Sequence, residues 1–115
     1  MRLLALLVSL SLAGCAAPPP AARTATRAEQ EEVLRPYIAC LQGRARNADD
    51  GTSDAMTIAR AIYGGCLSEW ERVFASMAQG NNNAVVRMMR SDSDKLRINV
   101  ALQSVLTVRN QKKQP

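Results

Sequence analysis

The chain has 115 residues, with 15 lysine and arginine side chains against 10 aspartate and glutamate side chains and no histidine, so its net charge is +5. A chain of this length folds as one small domain. The lack of histidine excludes Ser-His-Asp and Cys-His catalysis and removes the commonest metal ligand. Mild basicity with very few aromatic residues does not favour nucleic-acid binding, and it predicts a thin, aliphatic core. We expect no catalytic residues and no metal or other cofactor.

The first fifteen residues have the organisation of an export signal. Arg2 supplies a positive charge, a short apolar run follows, and the segment ends in Leu12-Ala13-Gly14-Cys15. The run is too short to span a bilayer. The ending resembles the lipobox of bacterial lipoproteins, which implies that residues 1–14 are cleaved off as a signal peptide and that Cys15 becomes the lipid-bearing N-terminus. The alternatives are an ordinary signal peptide with an incidental cysteine and an uncleaved anchor.

The residues after Cys15 indicate a location and a tether. Ala16 stands where an aspartate retains enteric lipoproteins at the inner membrane. The resemblance therefore implies the periplasmic face of the outer membrane, with the inner membrane as the less favoured location. Residues 15–26 form the tether, in which three consecutive prolines favour an extended polyproline conformation. Ten such residues reach roughly 30 Å, enough to hold the folded part away from the bilayer.

The first helix is predicted to begin after Thr26 and to run to about Asp50. Thr26 and Glu29 have the spacing of a capping box, and an apolar stripe follows at helical intervals. The stripe comprises Leu34, Tyr37, Ile38, Leu41 and Ala45. Pro36 conflicts with this helix, because an interior proline removes a hydrogen bond and costs about 3 kcal/mol. One kinked helix is the favoured interpretation, and a packed helix that starts at Pro36 is the alternative.

The second helix is predicted to run from about Asp54 to the turn at Gly80. Its apolar face is the most regular in the chain and comprises Ala55, Ile58, Ala59, Ile62, Cys66, Trp70, Val73 and Met77. Gly64 and Gly65 in its middle weaken it by about 1 kcal/mol each. Close approach of the first helix is the favoured explanation for the two glycines, and a functional hinge is the alternative.

The last helical region is predicted to be broken. The apolar residues of this region fall on two nearly opposite faces, and the polar segment 91–94 among them is rich in N-cap residues. One face has Val85, Met89, Leu96 and Val100, and the other has Ile98, Ala101, Leu102, Val105 and Val108. We therefore expect a third helix near 83–90 and a fourth near 94–110. The helical domain spans 27–111, and residues 112–115 form a loose tail.

These elements predict an all-α fold, a small bundle of three to four helices with a disulfide-stapled helical hairpin. Cys40 lies about ten residues before the first turn and Cys66 about twelve after it, so an antiparallel hairpin brings the two level. An exported protein is in an oxidising compartment, which permits a disulfide between them. Two buried free thiols and a disulfide to a partner subunit are the alternatives.

Other candidate sites are weak. The carboxylates occur in short local groups without a predicted cleft between them, and the aspartates at 49 and 50 lack the alternation of a calcium loop. Trp70 and the Met88-Met89 pair are interpreted as core residues rather than as a binding surface. Arg109, Lys112 and Lys113 either complement the end of a helix or contact anionic headgroups.

Two functions fit these observations. The favoured one is a non-enzymatic interaction or structural module of the cell envelope, held to the membrane through its N-terminal lipid. Its partner would be an envelope protein or the cell wall, because the predicted short helices carry more apolar surface than they can bury among themselves. The alternative is a small inhibitor or immunity-type lipoprotein that blocks a toxin, a lysin or a phage factor.

Overall fold

The computed structural model describes residues 22–115, which form four α-helices joined by short turns. The helices are α1 (Arg27–Ala48), α2 (Ala55–Ile62), α3 (Leu67–Ala78) and α4 (Asn83–Lys113). The predicted all-α class is therefore confirmed, and residues 22–115 contain no strand. The predicted signal peptide, Cys15 and most of the tether lie outside the described residues.

Helix α1 begins with the predicted capping box. The backbone N–H of Glu29 donates to the Thr26 hydroxyl at 3.3 Å, and the backbone N–H of Thr26 donates to the Glu29 carboxylate at 2.7 Å. The helix is continuous through Pro36, as predicted. Pro36 lies on the exposed side of the helix, where water can satisfy the carbonyl that the proline leaves unpaired.

The predicted second helix is two helices, so that prediction was wrong. Helix α2 ends at Ile62, and α3 begins only after Cys66, which has a left-handed backbone with φ of 59°. The expected approach of the first helix does occur, because a β-carbon on Gly65 would collide with the Arg44 side chain of α1. Two consecutive glycines and this close contact favour a break over a continuous helix.

The predicted break at residues 91–94 was also wrong, because α4 is one helix of 31 residues. Its buried stripe includes polar side chains and comprises Ser93, Arg97, Ala101, Ser104, Val105 and Val108. The prediction took account of apolar residues only, and these lie on two different faces. The buried stripe is continuous along α4 because polar side chains belong to it. The Ser91 hydroxyl does not cap a new helix, since it donates to the Met88 carbonyl of the preceding turn at 2.8 Å.

The helices form a bundle in which α1 and α4 are parallel and α2 and α3 run antiparallel to both. At one end, Arg109 of α4 pairs with Asp49 at the end of α1. At the other end, Gly80, shortly before α4, contacts the chain just before α1 at Ala22. Helix α4 packs closely along α1 and α2 but touches α3 at few points. The bundle is therefore closed at the α2 end and more open at the α3 end.

The disulfide joins α1 to the start of α3. Cys40 and Cys66 are bonded to each other, with their α-carbons 6.1 Å apart. The predicted disulfide between these two residues is confirmed. Both cysteines belong to or pack against the hydrophobic core. The largest fully buried side chains of that core are Trp70, Tyr37, Leu41, Val105 and Val108.

Candidate functional site

An apolar groove runs along the α3 end of the bundle. Its walls are α1 and α4, and its floor is α3. Two adjoining cavities of about 200 and 230 Å³ make up the groove and share Trp70, Met77 and Leu96. The first cavity is also lined by Gln30, Val33, Leu34, Val73 and Val100. The second is also lined by Met88, Met89, Asp92 and Ser93.

The groove is open because two large apolar side chains of α4 are not covered by another helix. Met88 is 61% exposed and Leu96 is 42% exposed, and both line the second cavity. The interpretation of Met88 as a core residue was therefore wrong. Trp70 is a core residue as predicted, at 2% exposure, and its ring lies 5.4 Å from that of Tyr37 while it also forms the groove floor.

Arg97 lies beside Trp70 at the level of the α2–α3 break. Its side chain is buried, and its Nη2 donates to the Tyr63 carbonyl at 2.8 Å, which satisfies a carbonyl beyond the end of α2. The guanidinium also lies 6.0 Å from the centre of the Trp70 ring and pairs with the exposed Asp94 at 3.2 Å. A buried cation thus replaces the apolar side chain that the helical pattern would favour at this position.

Two polar atoms beside Arg97 have no hydrogen-bond partner. They are the hydroxyl oxygen of Tyr37 and the Nε of Arg97, and both are buried. Burial raises the pKa of Tyr37, while the neighbouring Arg97 acts to lower it. The hydroxyl therefore stays protonated at neutral pH.

The open end of the groove is the end from which the N-terminal chain leaves. The Gln79 side-chain amide donates to the Arg23 carbonyl at 2.9 Å, and a β-carbon on Gly80 would come within 2.9 Å of the Ala22 carbonyl oxygen. Arg23 also pairs with Glu29 through two bonds of 2.9 and 2.6 Å. Hydrogen bonds from Arg23, followed by those from Thr26, lower the pKa of Glu29 to about 2. These contacts hold residues 22–26 against the α3–α4 turn.

Two of the three cations predicted near the C-terminus, Arg109 and Lys112, lie against Asp49. Arg109 donates through Nη2 to Asp49 at 2.7 Å and to the Ser53 carbonyl at 2.6 Å, and Lys112 lies 3.7 Å from the same carboxylate. The Asp49 side chain is only 1% exposed. The hydrogen bond from Arg109 lowers the pKa of Asp49, so this carboxylate stays ionised. These two cations therefore join the ends of α1 and α4, an arrangement that neither sequence interpretation included.

The disulfide lies in a shallow surface depression with Arg44 and Glu69. The two sulfur atoms and a Glu69 carboxylate oxygen lie within 4.8 Å of one another. A disulfide has no thiolate to offer, so the group supplies only one charged metal ligand. A hydrogen bond from its own backbone N–H, then one from Ser68, lowers the pKa of Glu69.

The predicted carboxylate groups are not brought together into an acidic pair across the groove. Glu29 pairs with Arg23, Asp49 with Arg109, and Glu71 with Arg90. Asp92 is the one carboxylate of residues 22–115 that lines either cavity of the groove. The arrangement suits the binding of an apolar group and offers no acid and base at a shared position.

The sequence analysis did not predict the groove. The one feature of the sequence that indicated it was the excess of apolar surface on the predicted short helices. Among residues 22–115, no helix has both the length and the apolar character needed to cross a bilayer. Comparison with known proteins returned no matching family model, no matching curated protein and no matching solved structure.

Proposed function

We propose that the protein is a lipoprotein anchored in the outer membrane, that it faces the periplasm, and that it acts as a non-enzymatic interaction module of the cell envelope. The anchor would be the lipid on Cys15 of the lipobox-like Leu12-Ala13-Gly14-Cys15. The observation that carries the proposal is the position of the groove. An apolar surface opens at the end of the bundle from which the chain returns to the tether and thus to the membrane.

The architecture suits a module that presents one fixed surface. The disulfide ties α1 to α3, and the Asp49–Arg109 pair ties the end of α1 to α4. These links hold α1 against both α3 and α4, while the groove keeps its apolar lining. A surface of this kind, aliphatic and thioether-rich with few polar groups, favours binding over chemistry.

The anchoring half of the proposal is tested by fractionation and intact mass measurement. The wild-type protein should sediment with outer membranes and should carry diacylglyceryl and acyl mass on Cys15. The Cys15→Ser variant should leave the membrane fraction or accumulate as uncleaved precursor. A wild-type protein that is soluble, fully processed and free of lipid would contradict the proposal.

The interaction half is tested by crosslinking in intact cells with a photoreactive residue placed at Met88, on the rim of the groove. The matched control places the same residue at Leu106, which is 39% exposed on the same helix but outside the groove. Adducts with envelope components are expected from position 88 and not from position 106. Equal adducts from both positions, or none from position 88, would count against a specific contact surface.

A further inference from the structure

We propose that the groove binds one acyl chain and that this chain is the one carried by Cys15 of the same molecule. The inference rests on the lipidation proposed above and names the occupant of the same groove. The lining supplies the first argument. Leucine, valine, methionine and tryptophan side chains form the walls and floor, and the polar Gln30, Asp92 and Ser93 complete the lining. Burial of methylene groups against such a surface is the interaction that an acyl chain offers.

The shape of the groove favours a linear chain over a helix. Its two cavities of about 200 and 230 Å³ share Trp70, Met77 and Leu96 in their lining. Along α4, the lining extends from Met88 to Val100, which is about 18 Å at the rise of an α-helix. A helix with its side chains is about 10–12 Å across, too wide to enter cavities of this size. Flexible methionine side chains can close around a thin, irregular occupant.

The exit of the N-terminal chain identifies the source of the occupant. Ala22 lies against Gly80 at the open end of the groove, and the chain advances by seven residues from Cys15 to Ala22. At about 3.1 Å per residue in an extended proline-rich chain, those residues reach roughly 22 Å. This reach allows a chain attached to Cys15 to turn back and enter the groove from its open end. A short tether also gives its own acyl chain a millimolar effective concentration, which free lipid monomers in the periplasm do not match.

The proposed contact gives the domain two states. While the lipid is outside a bilayer, one acyl chain is covered by the groove. Once the lipid enters the outer membrane, the groove is vacated and its rim, with Met88 and Leu96, is exposed to other envelope components. Contact with those components would then depend on anchoring.

Trp70 provides the test, because it is the single tryptophan of the chain and lines both cavities. Bromine atoms on an acyl chain quench tryptophan fluorescence only at contact range. A dibrominated stearate is titrated in detergent-free buffer into two forms of the full mature chain. One is the lipidated wild type, and the other is a Cys15→Ser chain exported with a signal peptide that is cleaved without lipidation. We expect loss of Trp70 emission in the unlipidated chain and little loss in the lipidated one.

Matched variants of the unlipidated chain locate the binding. Leu96→Lys should raise the concentration of brominated stearate at half-maximal quenching about tenfold, which corresponds to the loss of one leucine contact. Leu106→Lys, also exposed on α4 but outside the groove, should leave the titration unchanged. Both positions are on the helix surface, and circular dichroism verifies that the two variants fold.

Each other outcome overturns a defined part of the inference. Equal quenching of the lipidated and unlipidated forms overturns the assignment to the protein's own chain. No quenching of the unlipidated form, or equal effects of Leu96→Lys and Leu106→Lys, overturns the groove as an acyl site while the anchor stands. A wild-type mass without lipid on Cys15 overturns the proposed anchoring, and the assignment of its own chain with it.

Discussion

Reduction of the Cys40–Cys66 disulfide should destabilise the domain by about 3.5 kcal/mol. The two cysteines are 26 residues apart in sequence. The chain-entropy relation for a loop of this size gives about 3.5 kcal/mol at 25 °C, because the crosslink removes extended conformations from the unfolded chain. Small domains have total stabilities of only about 5–15 kcal/mol. The melting temperature should therefore fall by roughly 15–25 °C on reduction.

Circular dichroism melts with and without dithiothreitol measure this effect. The control is the Cys40→Ala, Cys66→Ala double variant, whose melt should match that of the reduced wild type and should not respond to reductant. Peptide mapping without reductant should recover the two cysteines in one linked pair. A wild-type melt that is unchanged by reductant, or free thiols at both positions in protein purified without reductant, would refute the reasoning.

Three further predictions concern the backbone, the core and the pH. Cys66→Gly should be about 1 kcal/mol more stable than Cys66→Ala, although both lack the disulfide, because φ of 59° suits glycine; equal urea midpoints would contradict this. Tyr37→Phe should be neutral or stabilising by up to about 1 kcal/mol, because the buried hydroxyl has no partner; a clear loss in a urea titration would mean that the hydroxyl bonds to Arg97. Hydrogen bonds, chiefly from Arg23, lower the pKa of Glu29 from 4.5 to about 2, so its contribution is present above pH 4.5 and is lost as the pH falls towards 2. Glu29→Gln should therefore reduce the fall in melting temperature across that window, and an unchanged slope would count against the Arg23–Glu29 contact.

The sequence alone predicted the capping box of α1, the approximate starts of α2 and α4, and which cysteines pair. Thr26, Asp54 and Asn82 each accept hydrogen bonds from backbone N–H groups at the start of a helix. Such caps depend on residues within three positions of one another, so they can be read locally. The disulfide was also predictable, because helical rise and one turn position are enough to bring Cys40 level with Cys66.

The continuity of α4 and the break between α2 and α3 were decided by tertiary contacts. Arg97 is buried because the Tyr63 carbonyl and the Trp70 ring receive its guanidinium, and neither partner is a sequence neighbour. From the sequence alone, an arginine in a helix is expected on the exposed face. The close approach of Arg44 of α1 to Gly65, at the break, is likewise a contact between residues distant in sequence.

The ion pair at the closed end and the groove at the open end also depend on distant residues. Asp49 and Arg109 are 60 residues apart, so the pair appears only when α1 and α4 lie parallel. The groove exists because α4 follows α1 and α2 closely but leaves α3, which keeps Met88 and Leu96 uncovered. Helical periodicity determines which side chains share a face, but the presence of a neighbouring helix to cover that face depends on how the whole chain packs.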